Sequence, residues 1–488
     1  MQMDIINKIN NFYFQSTKEH YNTEYQQLRN LSDNYNIRVN NLALKPYFIT
    51  RKKRDEFSKI TEILLNVFEK LTSAYHNNNA IRNLLSISGR NKDYIGVNTG
   101  YLRKLQIARL DSFYNMKEDS LKFLEINSDN PSYLGISDLF INSFDQLPSL
   151  KSLREVYNIQ SDLLIDPLYR ILIKKYKEYC AFFNKQEQEE PYIAVVCSRN
   201  SFIRNDVNVI IEYLKEKNPN VNYADPRDFI YDGKVLKLNG EKVDIVYRDT
   251  LKDFFRTESA GKIHSDFRNK ILDYTKYACL HNRYMNHYLK KGYFGHAEDI
   301  INAYSDNNIC IINPFSSGLC SQKSSFALIQ DEQFRSLFNE EESHVIDRYI
   351  PWTRLIGNYK TCYDNKQIDL VNFIKINREK FVLKPNNSYG GKGILIGSEI
   401  KQKNWENKIN IIIESGSKYI VQEYIDIPTE SLPVYSNNTY KGFSTQFFNI
   451  NFWVFDGKFV GSYVRASEKK IINISQGGML VPLYYVGS

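Results

Sequence analysis

The run Phe381-Val382-Leu383-Lys384-Pro385-Asn386-Asn387-Ser388-Tyr389-Gly390-Gly391-Lys392-Gly393-Ile394 constrains this chain more than any other stretch. A short apolar strand delivers one lysine, a loop of Asn, Ser and three Gly follows, and a second apolar strand, Ile394-Leu395-Ile396, leads out of it. Glycines let backbone N–H groups approach anionic oxygens where side chains would collide, and Lys384 sets a positive charge beside them. The pattern suits a nucleotide-phosphate clamp between two strands. It is neither the Walker spacing nor the dinucleotide fingerprint, because no Gly-Lys-Ser/Thr opens a helix and no helix follows the glycines. A plain hairpin with a glycine-rich tip accounts for the same residues without a ligand.

At 488 residues the chain has room for about two to four domains and a large core. Hydrophobic residues make up 42% and charged residues 25%, which excludes a disordered chain and a membrane bundle. The opening Met1-Gln2-Met3-Asp4-Ile5-Ile6-Asn7-Lys8 has no basic flank before an apolar core, and no stretch reaches spanning length, so a cytoplasmic protein without a membrane partner is expected. Six scattered cysteines without CxxC or Cys/His pairing argue against a zinc site or a disulfide framework. The net charge of +8 is spread along the chain, and the one tight basic run, Arg51-Lys52-Lys53-Arg54, is followed at once by Asp55-Glu56. A solvated helix start explains it; no nucleic-acid partner is expected, and a small anionic substrate fits better.

Four regions follow from the patterning. Residues 1–95 are rich in helical periodicity, as in Ile60 to Leu71, and form a helical layer. Region 96–190 contains alternating flanks Ile107 to Tyr114 and Leu121 to Asn127 around a polar tip, Met116 to Ser120. With Asn115 opposite Leu121, Asp111 falls opposite Glu125 and Arg109 opposite Asn127, all four on one face. Region 191–305 reads strand, helix, strand (Tyr192 to Cys197, Asn205 to Lys217, Val221 to Ala224), then turns at Asp232-Gly233 and Asn239-Gly240, a strand from Val243 to Arg248, and a helical stretch from Asp266 to Tyr304. In region 306–488 a Pro/Ser/Gly loop leads to a helix near Ser321. Lys323 then stands in a first helical turn, where the macrodipole disfavours a cation unless an anion is bound. The strand Tyr419 to Ile425 follows the glycine loop, and Asp456-Gly457 turns a long hairpin from Phe447 to Arg465.

Two carboxylates and an amide oxygen on adjacent strands suit magnesium, which takes hard oxygen ligands and keeps substrate phosphates in its shell. The same residues also describe a solvated sheet face with Arg109 as partner, although burying Asp111 opposite Glu125 costs stability without a cation. Arg248, closing an apolar strand, can grip a carboxylate or make a surface ion pair. Arg465 can be a solvated charge or a phosphate contact.

Arg109-Leu110-Asp111 with Glu125-Ile126-Asn127, Asn313-Pro314-Phe315 leading to Lys323, Leu383-Lys384-Pro385 with its glycine loop, Val421-Gln422-Glu423-Tyr424, and the Arg465 to Gly478 region together resemble the ATP-grasp superfamily. Their order resembles its circularly permuted branch, typified by glutathionylspermidine synthase. The resemblance spans roughly residues 100 to 488 and implies a mixed α+β and α/β fold: a circularly permuted ATP-grasp core with an N-terminal helical layer and a small Rossmann-like α/β subdomain. It implies ATP and Mg2+ as cofactors. Asp111, Glu125 and Asn127 would hold the metal, and Lys323 and Lys384 would contact phosphates. Ser388, Tyr389, Gly390, Gly391, Lys392 and Gly393 would fold over them, with Gln422, Glu423 and Tyr424 receiving adenine.

Arg109 and Arg465 are the candidate catalytic residues and Arg248 the candidate substrate contact. The implied activity is a carboxylate–amine ligase working through an acyl phosphate, with small-molecule or peptide carboxylate and amine substrates. No Cys precedes Cys180, so the amidase activity that accompanies some members is not expected, and neither spermidine nor glutathione carries over. Two rival readings stand: a small-molecule kinase on the same scaffold, and a nucleotide-binding subunit without chemistry whose N-terminal helices form an interaction layer. Self-association is left open.

Overall fold

A computed structural model describes residues 2–34, 41–85, 94–199, 201, 203–248, 298–388 and 390–487. The chain divides into two compact units, one of Met1–Ser86, Arg103–Leu168 and Ser317–Ser488, the other of Ile87–Leu102 and Tyr169–Ser316. The segment expected as one region, 96–190, is therefore shared between them.

The first unit is built on a nine-stranded sheet. Neighbouring strands run Ser120–Asn127, Ile107–Asn115, Thr439–Phe455, Lys458–Ser467, Met479–Gly487 and Tyr47–Thr50; only the last pairing is parallel. Two-residue turns make the long hairpins. Asn437 and Asn438 sit at φ 49° and 60°, and Asp456 and Gly457 at 48° and 85°, the positive values that match strand twist. The helix Arg51–Ala74, capped by Thr50 accepting from the Lys53 N–H, buries Phe57, Leu64, Leu65, Phe68 and Leu71. Its basic first turn is used within the protein: Arg54 pairs with Asp162 at 2.8 Å and Lys53 with Asp119 at 2.6 Å.

The N-terminal region is less purely helical than its periodicity suggests. Asn41–Ala43 and Tyr47–Thr50 join the large sheet, and runs this short carry no decisive period. A second, four-stranded antiparallel sheet orders Thr353–Leu355, Tyr419–Glu423, Phe381–Pro385 and Leu395–Ile396. Phe381, Leu383 and Val421 point to one face, where they meet Trp405, Ile409 and Ile412 of the helix Gln402–Ser415. Strand alternation therefore sends Lys384 and Gln422 to the opposite face.

The second unit holds a parallel sheet in the order Cys310–Ile312, Ile245–Arg248, Ile193–Val196, Val221–Ala224, with the helix Arg204–Lys215 between its first two strands in sequence. This is the expected small α/β unit. Asn239-Gly240 forms the expected tight turn, since Leu238 pairs with Glu241. Asp232-Gly233 does not: its loop runs to Val235, because Asp232 Oδ1 accepts the N–H groups of both Lys234 and Val235. Of the helical stretch expected from Asp266 to Tyr304, the helix Glu298–Ser305 is seen and the part before residue 298 lies outside the described residues. None of the five described cysteines is in a disulfide, and no described helix is long and apolar enough to cross a membrane.

Candidate functional site

The acidic hairpin forms with Arg109 opposite Asn127 and Asp111 opposite Glu125, as the alternation requires. The tip differs by one residue, Asn115 pairing with Ser120, and a bulge between Asp111 and Ser112 absorbs the difference. Asp111 is 3% exposed and held from two sides. Arg109 donates through Nε to Oδ1 at 2.7 Å and through Nη2 to Oδ2 at 3.1 Å, while Arg465 Nη2 donates to Oδ2 at 2.7 Å. Arg109 also donates to the Ser132 carbonyl at 3.0 Å and lies about 6 Å from the rings of both Trp453 and Tyr463.

The hairpin end is tied to the Lys323 segment. Ser321 Oγ accepts the N–H groups of Ser128 and Asp129 at 2.9 and 3.1 Å, and Ser128 Oγ donates to the Ser317 carbonyl at 2.6 Å. Lys323, the residue before the helix Ser324–Ile329, reaches Glu125 Oε2 at 3.1 Å and donates to the Ser388 carbonyl at 2.8 Å. Asn386 completes the junction, its side chain accepting the Ser324 N–H and donating to Gln322 Oε1, both at 2.8 Å. Hairpin, lysine segment and glycine loop thus meet in one place.

Gly390, Gly391 and Gly393 adopt φ of 68°, 72° and 74°, and the loop rests on the segment after Arg465. Gln476 donates to the Gly390 carbonyl at 2.8 Å, and a Cβ on Gly391 would come within 2.4 Å of Ile471 Cγ2. Ser388 Oγ spans the loop to the Lys392 carbonyl at 2.9 Å. Tyr389 lies outside the described residues.

Lys384 donates to Gln422 Oε1 at 2.6 Å, and Gln422 in turn donates to Thr353 Oγ1 at 3.0 Å. Gln422 therefore serves the lysine. Of the residues expected to form the adenine hinge, Glu423 and Tyr424 donate their backbone N–H groups to the Trp352 and Lys380 carbonyls, both at 2.8 Å, and the Glu423 carboxylate accepts from Tyr363. Arg248, in the second unit, is 1% exposed and spends its guanidinium on the Asn313 and Pro314 carbonyls over the ring of Phe315. These bonds tie the end of its strand to the segment after Cys310–Ile312.

Arg465 has a second anchor that sequence reading did not single out. Its Nε donates to Asn449 Oδ1 at 3.1 Å, and the buried Asn449 and Asn451 amides lie 3.3–3.4 Å apart. Asn451 is the cross-strand neighbour of Asp111 on one side and Tyr463 on the other. The available signal was two asparagines at period two inside the apolar run Phe447 to Phe455.

The charges are strongly coupled. Burial, reinforced by neighbouring Lys323, pushes the Lys384 ammonium down to about 8, against the pull of Glu125. Burial alone would raise the Glu125 carboxyl, but Lys323, Lys384 and Arg465 hold it well below the usual carboxylate range. Burial opposes the charge on Arg109, and Asp111 more than restores it. The site is therefore a cationic pocket with one carboxylate, Glu125, still 30% exposed at its centre. No trio of His, Cys, Asp and Glu side chains able to hold a metal occurs among the described residues.

No family model and no curated protein matches this sequence. A solved structure does: a glutathione synthetase-like effector from Globodera pallida, in apo form, aligns over 97% of this chain and 98% of its own with a TM-score of 0.57 at 10% identity. A Methylobacillus flagellatus protein, described provisionally as a gamma-glutamylcysteine synthetase, covers 87% of this chain and 85% of its own at 10% identity, with a TM-score of 0.36 that is too low to bear on the fold. The first likeness shows a shared fold.

Proposed function

We propose that this chain, folded like a glutathione synthetase-like protein, is an ATP- and magnesium-dependent carboxylate–amine ligase on a circularly permuted ATP-grasp scaffold. The supporting observation is the meeting of Glu125, Lys323 and Lys384 with the glycine loop, since separate strands and a helix start have no packing reason to gather these charges. In the reaction, a carboxylate oxygen of the acid attacks the terminal phosphorus of ATP and the bond to the ADP oxygen breaks. An amine nitrogen then attacks the acyl carbon, phosphate leaves, and the amine gives up a proton.

Phosphoryl transfer of this kind depends on positioning and charge neutralisation rather than a protein nucleophile. Lys323 and Lys384 would meet the phosphates, and the glycine loop would offer its N–H groups and exclude water. When bound, magnesium supplies charge neutralisation at phosphate oxygens. Glu125 and Asn127 fit that role: Glu125 keeps solvent access, and the Asn127 Nδ2 is buried with no hydrogen-bond partner to lose if the amide turns its oxygen to a cation. Arg465, with Nε and Nη2 anchored, would place Nη1 for charge developing on the acyl group, an effect typically worth about 3–4 kcal/mol per donor.

The test is a screen for ADP and phosphate release over amino-acid and polyamine acceptors with candidate acids. Lys384→Ala should lower turnover by about 10²–10³-fold, with an unchanged far-ultraviolet spectrum. A kinase would instead leave a phosphorylated acid that no amine consumes. ATP binding without ADP release over the whole screen would favour a nucleotide-binding subunit and remove the ligase.

A further inference from the structure

Asp111 and Glu125 face each other across the hairpin, yet their surroundings differ. Glu125 pairs through one oxygen with Lys323 at 3.1 Å and remains partly open to solvent. Asp111 is closed in. Its two oxygens accept three guanidinium hydrogen bonds, at 2.7, 3.1 and 2.7 Å, from two arginines that are themselves 7% and 11% exposed. Both arginines have independent anchors: Arg109 holds the Ser132 carbonyl, and Arg465 holds Asn449, which the fully buried Asn451 supports. A divalent cation approaching Asp111 would meet two positive charges within contact distance of the same oxygens, both of which are already filled.

We propose that Asp111 is a positioning residue that aims Arg109 and Arg465, and that the hairpin's metal donors are Glu125 and Asn127 alone. Charge-assisted bidentate bonding fixes a guanidinium plane in a way a lone backbone carbonyl does not. The bulge immediately after Asp111 supports this division of labour: it restores the register in which one carboxylate falls among the arginines and the other among the lysines. The inference rests on the ligase reading above.

The test reads metal uptake directly, by the loss of the free Mn2+ electron paramagnetic resonance signal on titrating protein with ATP present. Asp111→Asn should bind Mn2+ within about threefold of the wild type, whereas Glu125→Gln should weaken it about tenfold or more. Asp111→Asn should still lower kcat by about 10²-fold with an unchanged magnesium requirement, and adding Arg465→Met should cost less than about threefold more, because both changes remove the same alignment. Mn2+ uptake weakened as much in Asp111→Asn as in Glu125→Gln would overturn the proposal.

Should Asp111→Asn fail to fold, wild-type protein carrying 13C-carboxyl aspartate decides the matter by Mn2+ electron–nuclear double resonance. The coupling of a directly bound aspartate overturns the inference, and its absence supports it. A wild type that takes up no Mn2+ with ATP would instead remove the ligase reading and this inference together.

Discussion

Lys384 is the residue whose chemistry is easiest to test, because its environment moves it into an accessible pH range. An ordinary lysine stays charged to about pH 10.4, whereas burial near Lys323 brings Lys384 to about 8. Anion binding that needs its charge should be full below pH 8 and weaken by up to about tenfold per unit above it, which calorimetric titration with ATP from pH 6.5 to 9.5 would follow. Affinity that stays flat across that range would take the phosphate role away from this residue. Between about pH 8 and 10.4 the unfolded chain binds the extra proton, so folding stability contributed by this group should rise with pH there. At this scale the sequence exposed the residues with unusual type and spacing: Lys384 beside glycines, and Asp111 and Glu125 on alternating flanks. Asn449 and Asn451 stayed hidden because their partners, Arg465 and the neighbours of Asp111, come from strands brought together only by the sheet. The bonds from Arg248 to the Asn313 and Pro314 carbonyls stayed hidden for a like reason, since a charge at a strand end gives no sign of the backbone that the next strand brings beside it.

Elements rather than residues set the site's geometry. The hairpin was legible because period-two alternation fixes which side chains share a face, and only the stretch from Ser112 to the tip, beyond the bulge, departed from the expected register by one residue. Gly loop conformation was legible as a need for positive φ, but the surface on which the loop rests was not. The contact of Gly391 with Ile471 joins segments eighty residues apart, counting from 391 to 471. Gly391→Ala should therefore do two things at once. It strains a left-handed residue by about 1–2 kcal/mol, and it drives a methyl group into Ile471, lifting the loop from its support. Thermal denaturation should shift little, because the described residues from Asn387 to Gly393 are exposed or only partly buried, while ATP affinity falls about tenfold, a change of about 1.4 kcal/mol. A Gly391→Ala protein with unaltered affinity would show that the observed loop position is irrelevant to binding. The short strands Asn41–Ala43 and Tyr47–Thr50 were not legible, since a run of three or four residues fits a strand and a helix segment equally.

On the scale of the molecule, the first unit depends on its last strand. Met479–Gly487 is buried throughout and bonds to Lys458–Ser467, Tyr47–Thr50 and Asn158–Gln160, so it joins the beginning, middle and end of the sequence in one sheet. A chain shortened to end at Gly478 should lose cooperative unfolding and collect in the insoluble fraction; a soluble, sharply melting product would contradict this. The consequence reaches into synthesis. At about 5–20 residues per second, a ribosome needs roughly 20–90 s to go from Thr50 to Met479. Throughout that interval Tyr47–Thr50 waits without its β-sheet partner. A nascent chain of this design therefore has a long window in which a holdase chaperone, or a sticky neighbour, competes for an apolar edge that a strand more than four hundred residues later must claim.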